Sequence, residues 1–430
     1  PRRGSRGQSP LAARHPALPR PAPAPHAAPQ RRVGVLRMDA AYLSDWANLL
    51  LRWLHVITGI AWIGTSFYFI GLDNQLDKPA DGNPRVAGEQ WSIHGGGFYH
   101  KQKYLVAPER LPEKLHWFKW EAYWTWISGF SLFVLIYWVQ ASTYLVDPAV
   151  LDMPAWLAVA ISAAMLVGGW VGYDLLCRSR YGENEALLGA IGAVALAVTA
   201  FVACHLFGGR GAFLQVGAMT GTIMVANVAM VIIPGQRKMV AAMQAGQAPD
   251  PKYGRWGKQR SVHNTYLTLP VIFIMISPHY PMTYQGPWNW LVLLAVGLSG
   301  ALVRQYFVLR QKGANPVWLP ASAAAVVALL VWTGAPQRAT GGAEAPAFAE
   351  VEAIVAARCV SCHAARPTQE GFAAPPKGVV METPQQIRRW AASMRQQLQT
   401  EAMPPGNLTE ITPEERAKLL AWVAAGAPAQ

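Results

Sequence analysis

Long apolar segments recur along most of this chain. Eight windows of about 18 to 27 residues carry few charges, and this is the length that crosses a hydrocarbon core as a helix. Their approximate bounds are 46–72, 120–143, 154–177, 186–208, 212–234, 264–280, 287–309 and 317–334. Pro270 and Pro278 interrupt the sixth window and the eighth is short, so both predict distorted or partly interfacial helices. The pattern predicts an all-α, polytopic membrane bundle of about eight spans.

Basic residues are distributed unevenly among the loops between these windows. Alternate loops, starting with the one after the first window, hold 17 Lys and Arg, whereas the other loops hold two. Because basic loops stay in the cytoplasm, both ends of the bundle are expected outside. We therefore expect a multi-pass protein of the bacterial inner membrane, surrounded by the lipid bilayer, with its C-terminal segment in the periplasm.

Composition supports a membrane protein, since 52% of residues are hydrophobic and only 14% are charged. Residues 1–37 differ from the rest: they hold eight arginines, no acidic residue and many Pro and Ala. We expect them to be a disordered extension, or the product of an upstream start miscalled in the gene. Without those eight arginines the net charge of +13 falls to +5, so the basic balance is no evidence for nucleic-acid binding.

The chain is predicted to contain two folded domains. Residues 38–336 form the membrane domain, and a Gly/Ala/Pro-rich stretch at 337–347 forms a flexible linker. Residues 348–430 form a second domain, in which basic and acidic residues balance.

The motif Cys359-Val360-Ser361-Cys362-His363 is the attachment signature of a covalent c-type haem. Both thiols have to reach the vinyl groups on one edge of the porphyrin, while the histidine ligates the iron. An electron-carrying haem usually takes a methionine as its second axial ligand. Met403 is our candidate because two prolines follow it and make a stiff, non-helical loop. Met381 and Met394 are the alternatives, and Met394 lies in a helix-like run that suits a packed core methionine.

Other interpretations of the two cysteines fit less well. Zinc needs four ligands, and the remaining cysteines, Cys177 and Cys204, lie inside apolar runs. A thioredoxin-like pair needs a βαβ context, whereas residues 348–358 predict a helix. Downstream, Thr412-Pro413-Glu414-Glu415 supplies a helix cap, a first-turn proline and a capping-box glutamate. The order of helix, motif, methionine loop and terminal helix predicts a small class I cytochrome c domain.

Histidines recur at membrane depth, where ionisable groups are costly and often functional. His55, His205 and His279 lie in apolar windows, and His94, His100, His116 and His263 lie towards the cytoplasmic side. Taken singly, each is better explained by a hydrogen bond to a neighbour within the bundle or by a place at the interface, but the number of such histidines favours a function for the group.

The first cytoplasmic loop combines three consecutive glycines with histidines, aromatic residues and lysines between residues 91 and 104. Glycines let backbone N–H groups approach an anion or a planar ligand, and Lys101 could neutralise it. The run lacks the Gly-Lys-Ser/Thr ending of a phosphate loop. A re-entrant turn whose lysines follow the positive-inside rule is an equally good interpretation.

Five segments of the chain carry a resemblance to a known family. They are residues 51–64 (LRWLHVITGIAWIG), 94–100 (HGGGFYH), 115–123 (LHWFKWEAY), 233–238 (IPGQRK) and 261–270 (SVHNTYLTLP). In motif and order the chain resembles the membrane-bound urate oxidase (urate hydroxylase) family, which fuses a multi-span domain to a C-terminal cytochrome c. The resemblance implies oxidation of urate to 5-hydroxyisourate in purine catabolism. It also implies that electrons reach the haem c, and then a terminal oxidase or soluble cytochrome of the respiratory chain, without forming hydrogen peroxide.

Urate is a flat anion, so stacking groups, backbone donors and a cation suit it. We take His94, His100 and His263 as candidates for proton removal or urate anchoring, with Lys101 assisting. Purines are degraded in the cytoplasm, about 30 Å from a periplasmic haem, which favours an intermediate redox centre. His55, His205 and His279 are candidate ligands for such a centre, for example a bis-histidine b-type haem. Alternatively, urate binds in the outer half of the bundle, close to the haem c.

Two other classes of function stay open at this point. The chain could be a membrane electron-transfer subunit fed by a quinol or by another enzyme, without urate activity. It could also be a transporter or assembly protein with a fused cytochrome. All three classes place polar groups in a helical bundle, so spans and charges do not separate them.

Overall fold

The computed structural model describes residues 40–333, 346–369, 372, 374–399 and 402–429. The extension expected over residues 1–37 lies outside these residues, as does the predicted linker up to residue 345.

Helices occupy all eight windows that the hydropathy pattern predicts. They are α1 (Ala40–Asn74), α2 (Trp120–Phe133), α3 (Ala141–Tyr144), α4 (Ala155–Arg178), α5 (Glu185–Leu206), α6 (Gly209–Ala226), α7 (Ile233–Gln244), α8 (Pro251–Ile276), α9 (Asn289–Gln311) and α10 (Trp318–Thr333). A π-helical turn, Val134–Trp138, extends α2, and another, Asn227–Ile232, joins α6 to α7. The all-α fold class is therefore confirmed.

Five of the described helices are long and apolar enough to cross a membrane: α1 from Leu43, α4, α5, the continuous α6–α7 rod and α9. The helices in the other three predicted windows do not meet the length and hydropathy required of a membrane span, and the reason differs for each. Helix α2 has 14 residues before its π-turn, α8 begins with a charged run, and α10 has 16 residues. The predicted number of eight spans is therefore approximate.

Helix α6 lies at the centre of the bundle, packed against α4, α5 and α8. Its polar Gln215 is fully buried and is satisfied by Ser162 of α4, whose backbone oxygen accepts from the Gln215 amide at 3.0 Å. Around this pair, Leu145, Phe207 and Phe213 are completely buried and form the main core. In lipid, such pairing is required because the hydrocarbon offers no hydrogen bonds.

Helices α8 and α9 approach closely at Pro270. A Cβ atom added at Gly300 would lie 3.1 Å from the Pro270 ring, so the glycine makes this contact possible. The proline inside the continuous helix α8 is therefore accommodated by a missing side chain on its neighbour.

The glycine-rich segment between residues 91 and 104, predicted as a cytoplasmic loop, forms an antiparallel β-hairpin and not a re-entrant turn. Strand β1 (Val86–His94) pairs with β2 (Gly97–Tyr104), with His94 opposite Gly97. Gly95 and Gly96 have φ values of +58° and +82°, which a two-residue hairpin turn of this type requires at both positions. These two glycines are thus explained by the turn itself.

The base of the hairpin is fastened to the helices. Asp73, near the end of α1, accepts from Lys103 of β2 at 2.5 Å and lies 3.6 Å from Lys258 of α8. The hairpin therefore lies against the last turn of α1 and the first turns of α8, while Trp91 and Phe98 remain exposed.

The C-terminal domain consists of α11 (Phe348–Arg358), α12 (Val360–His363), α13 (Pro384–Gln399) and α14 (Pro413–Ala424). Its core contains Val351, Val355, Leu419 and Trp422, all of which are fully buried. The capping box predicted at Thr412 and Glu415 is confirmed.

Glu415 also ties α14 to the residue before the cysteine motif. Its carboxylate accepts from Arg358 at 3.0 and 3.2 Å in a two-pronged pair, and Arg358 donates to the Thr409 carbonyl at 2.8 Å. The backbone N–H of Thr412, followed by Arg358, holds the pKa of Glu415 below its ordinary 4.5. Because the folded pKa is depressed, this stabilisation is complete above pH 4.5 and is lost as the pH falls through the folded value.

We expect Glu415→Gln to destabilise the cytochrome domain at neutral pH by about 1 kcal/mol, through loss of the ion pair and weakening of the cap. The difference from wild type should shrink as the pH falls below 4.5. Acid unfolding of the full chain, followed by haem absorbance, measures both effects. Glu414→Gln, one residue away, is the matched control, and a constant difference at all pH values would contradict the assignment.

Candidate functional site

A cavity of about 1,840 Å³ lies between the C-terminal domain and three parts of the membrane domain: the end of α3, the junction of α5 and α6, and the segment after α8. Cys359, Cys362 and His363 line it on the cytochrome side. His363 Nδ1 donates to the Val379 carbonyl at 3.1 Å, so Nε2 is left free for a metal. The residues of the motif therefore fit a c-type haem, with two thiols and an oriented histidine on one wall.

All three candidate methionines reach this cavity, but their surroundings differ. Met381 and Met394 are buried in the core of the domain, packed with Ile387 and Leu398. Met403 is half-buried in the loop before α14, where its carbonyl accepts from Arg416 at 3.1 Å. The loop position keeps Met403 as the predicted second axial ligand.

Burial favours the neutral thiol over the thiolate at both cysteines. Burial raises the pKa of Cys359 to about 12, and burial also raises the pKa of Cys362. Thiols of this kind are poor metal ligands, because a metal binds the thiolate. Their position on the cavity wall suits thioether attachment.

The opposite wall of the cavity belongs to the membrane domain, and His205, Arg210 and His279 line it. Arg210 donates from Nε to the Tyr137 hydroxyl at 3.0 Å, and its guanidinium lies 5.2 Å from the ring centre of Tyr144. His205 Nδ1 donates to the carbonyl of Phe201 at 2.7 Å. Both predicted histidines at the outer side therefore face the same space as the haem motif.

His55 does not line this cavity. It lies between α1 and α2, where Nδ1 is 2.9 Å from the Thr125 carbonyl and 3.3 Å from the Ser128 hydroxyl. A Cβ atom added at Gly129 would lie 2.6 Å from the imidazole, so that glycine makes room for the ring. The three histidines expected at a second redox centre are thus divided between two places.

On the hairpin, His100 is held in one orientation. Its Nε2 donates to Glu89 at 2.9 Å, and the Trp91 ring stacks on it at a centroid distance of 4.3 Å. The N–H of Ala80, followed by the amide of Gln102, lowers the pKa of Glu89, which keeps this carboxylate ionised. His100 is therefore an imidazole oriented by an acid and by an aromatic ring.

The other hairpin candidates lie apart from His100. Lys101 donates to the Ser92 hydroxyl at 2.6 Å, and its ammonium lies 5.1 Å from the ring centre of Tyr68 on α1. His94 ends β1 beside the turn, where it is exposed. In the described part of the chain, no hydrogen bond joins His94 to His100 or Lys101.

His263 belongs to a separate polar network inside the bundle, where the π-turn begins. Asn227 donates to the Tyr173 hydroxyl at 3.3 Å, and that hydroxyl donates to His263 Nδ1 at 2.7 Å. Helices that open into π-turns frequently do so at functional sites. Sequence reasoning singled out His263 but missed its two partners.

A buried arginine completes that network. Arg260 is 3% exposed, donates to Asn227 at 3.2 Å and pairs with Asp174 at 2.9 Å. It therefore has the partners that a charge in lipid requires.

Arg304 on α9 is a second buried arginine, also 3% exposed, and it too was missed. The signal was present in the sequence, because an arginine within an apolar window is a functional candidate by default.

Aromatic rings run along α2 towards the cavity. Trp126 stacks on Phe130 at 5.0 Å, and Phe130 meets Trp138 at 5.5 Å. Farther along, Tyr137 lies 6.3 Å from Tyr144, which lines the cavity. Phe133, 6.0 Å from Trp138 and 5.3 Å from Tyr137, joins the two groups of rings, which therefore connect the bundle with the cavity.

A helical membrane bundle joined to a c-type cytochrome domain at a shared cavity defines a membrane-bound oxidoreductase. Residues 41–335 match the family model described as urate oxidase N-terminal, and the chain belongs to that family. Residues 346–423 match the model described as cytochrome C oxidase, cbb3-type, subunit III, which implies a haem c in this domain. Searches of curated proteins and of solved structures gave no match.

We expect Met403→Leu to abolish the methionine-to-iron charge-transfer band of the oxidised protein and to lower its reduction potential, because a methionine ligand raises that potential. Covalent haem should remain. Met394→Leu, a similar change in the core, should keep both properties. Loss of the band in Met394→Leu or Met381→Leu, with Met403→Leu unaffected, would assign the ligand differently.

Proposed function

We propose that the protein oxidises urate to 5-hydroxyisourate, a step of purine catabolism, and delivers the electrons to its own cytochrome domain. The reaction balances as urate monoanion plus water giving 5-hydroxyisourate, one proton and two electrons. Haem c supplies a one-electron acceptor, so two transfers are needed for each urate.

The observation that carries this proposal is the cavity shared by the haem motif and the membrane domain. The methionine loop packs directly on the bundle, since a Cβ atom at Gly406 would lie 3.4 Å from the Val146 carbonyl and 3.5 Å from that of Thr143. Electrons leaving the membrane domain would therefore need no diffusing carrier. Membership of the urate oxidase family supports urate as the electron donor.

On the substrate side, His100 is the best-supported base. Glu89 fixes its Nε2–H, so Nδ1 is the nitrogen that would take a proton from urate. We assign an anchoring role to Lys101, the neighbour of His100 on β2. His94, at the hairpin turn, and His263, inside the bundle, would contact urate away from His100. All four lie on the side that basic loops place in the cytoplasm.

The distance between that side and the outer cavity requires an intermediate carrier, because about 30 Å is too long for one fast electron transfer. The aromatic rings from Trp126 to Tyr144 support a relay along α2. A b-type haem ligated by two of His55, His205 and His279 is the other candidate. A pyridine haemochrome spectrum with only the c-type band would favour the aromatic relay.

We further propose that the protein lies in the bacterial inner membrane with the cytochrome domain in the periplasm, where a terminal oxidase or soluble cytochrome accepts the electrons.

The second candidate function is a quinol- or partner-fed electron-transfer subunit, which the shared cavity would serve equally well.

Mixing anaerobic, oxidised protein with urate should reduce about two haems for each 5-hydroxyisourate formed, as the two-electron balance requires. Absorbance of the haem and an assay of the product measure the two quantities. Reduction by a quinol, with no reduction by urate, would favour the electron-transfer subunit.

Substitution of His100 by Gln should lower the rate of urate consumption by at least about 100-fold, the usual contribution of a positioned general base. Haem c content should be unchanged. His116→Gln, on the same side of the membrane, is the control. Equal losses in both variants would remove His100 from the mechanism.

A further inference from the structure

Arg304 is a charged side chain buried in a membrane-spanning helix without a visible partner. Its Nε and Nη2 atoms are buried and have no hydrogen-bond acceptor among the described residues. None of the salt bridges formed by those residues includes it. An unpaired buried charge costs several kcal/mol even after relaxation, so such a group normally has a ligand or a counter-ion.

Arg260 shows how the same bundle treats an arginine of equal burial. Its guanidinium has a carboxylate, Asp174, and an amide, Asn227, within 3.2 Å. Both arginines are 3% exposed, so the difference lies in their partners and not in their depth. Arg304 is therefore the exception to a rule that the protein otherwise follows.

The two unpaired atoms define the shape of the missing partner. Nε and Nη2 share one edge of the guanidinium, and their N–H bonds point the same way, as a two-pronged donor. Such an edge fits a ligand with two neighbouring acceptor atoms in one plane. The Phe67 ring of α1 lies 4.7 Å from the guanidinium carbon and shields it from lipid.

The surroundings place this edge near the cytoplasmic ends of the helices. Arg304 precedes the end of α9 by seven residues, or about 10 Å of helix. There, Asn74 of α1 donates to Gln311 of α9 at 3.0 Å. The hairpin is fastened beside this contact through Asp73 and Lys103. These polar contacts lie at the helix ends on the side on which we place urate, about 10 Å along α9 from Arg304.

We propose that Arg304 binds the substrate as a planar anion through its Nε and Nη2 edge. The inference rests on the proposed function and adds a binding residue to it. The urate monoanion offers a deprotonated ring nitrogen beside a carbonyl oxygen, which are two acceptors in one plane. A chloride ion offers only one acceptor atom to the two N–H groups, whereas the urate monoanion gives each of them its own acceptor, so the edge fits the flat organic anion better.

Binding can be measured without turnover by equilibrium dialysis of labelled urate against the dithionite-reduced full-length holoprotein. We expect Arg304→Gln to bind urate at least about 100-fold more weakly than wild type, a typical loss for one partner of a buried charge pair. Arg304→Lys keeps the charge but loses the two-pronged guanidinium edge, so it should bind urate about 10-fold more weakly. Arg310→Gln, an exposed arginine on the same helix, should bind as wild type.

Haem content and the absorbance spectrum identify variants that are folded. If Arg304→Gln does not accumulate as a haem protein, Arg304→Lys decides by the same assay. Wild-type affinity in the variant that is measured overturns the proposal, as does displacement of urate by chloride at equal concentration.

The two proposals fail in different ways. If wild-type protein binds urate through Arg304 but is not reduced by it, the binding site is supported and the proposed oxidase activity is refuted. If wild-type protein is reduced by urate and Arg304→Gln binds urate with unaltered affinity, the oxidase activity is supported and the Arg304 binding site is refuted. Wild-type protein that does not bind urate overturns both.

Discussion

Pairing of polar groups inside the hydrocarbon layer is the constraint on which the rest of this structure depends. Lipid supplies no hydrogen bonds, so each polar side chain directed into the bundle needs a partner from another helix. Ser162 with Gln215, His55 with Thr125, and Arg260 with Asp174 meet this requirement and at the same time fix which helices are neighbours. Arg304 alone among the buried arginines of the described chain does not, which is why it indicates a ligand.

The second organising feature is the contact between two environments at the outer surface. The cytochrome domain has its own core and its own caps, so its fold does not depend on lipid. Its haem motif nevertheless opens towards His205, Arg210 and His279 of the membrane domain. A redox group placed there would exchange electrons with the bundle directly, and the aromatic rings along α2 extend that contact inward.

The end of the bundle that carries the hairpin combines rigidity with access. The hairpin is fixed at its base by Asp73 and orients His100 through Glu89, but its tip is exposed. A site in this region would have a rigid floor formed by helix ends and a polar entrance. That arrangement suits a small ligand that has to be held away from bulk water.

The sequence by itself determined the helical membrane class, the positions of the apolar helices, the haem motif and the cap of α14, because each depends on residues that are close along the chain. Hydropathy needs only a window of one span, and Cys359, Cys362 and His363 lie within five residues. The hairpin could also have been predicted from the sequence, because adjacent glycines such as Gly95 and Gly96 favour a tight turn between two strands. Only the tertiary structure decided that His55 is separate from His205 and His279, that His263 joins Tyr173, and that Arg304 has no partner. These facts depend on which helix faces meet, and packing between residues far apart in sequence determines that.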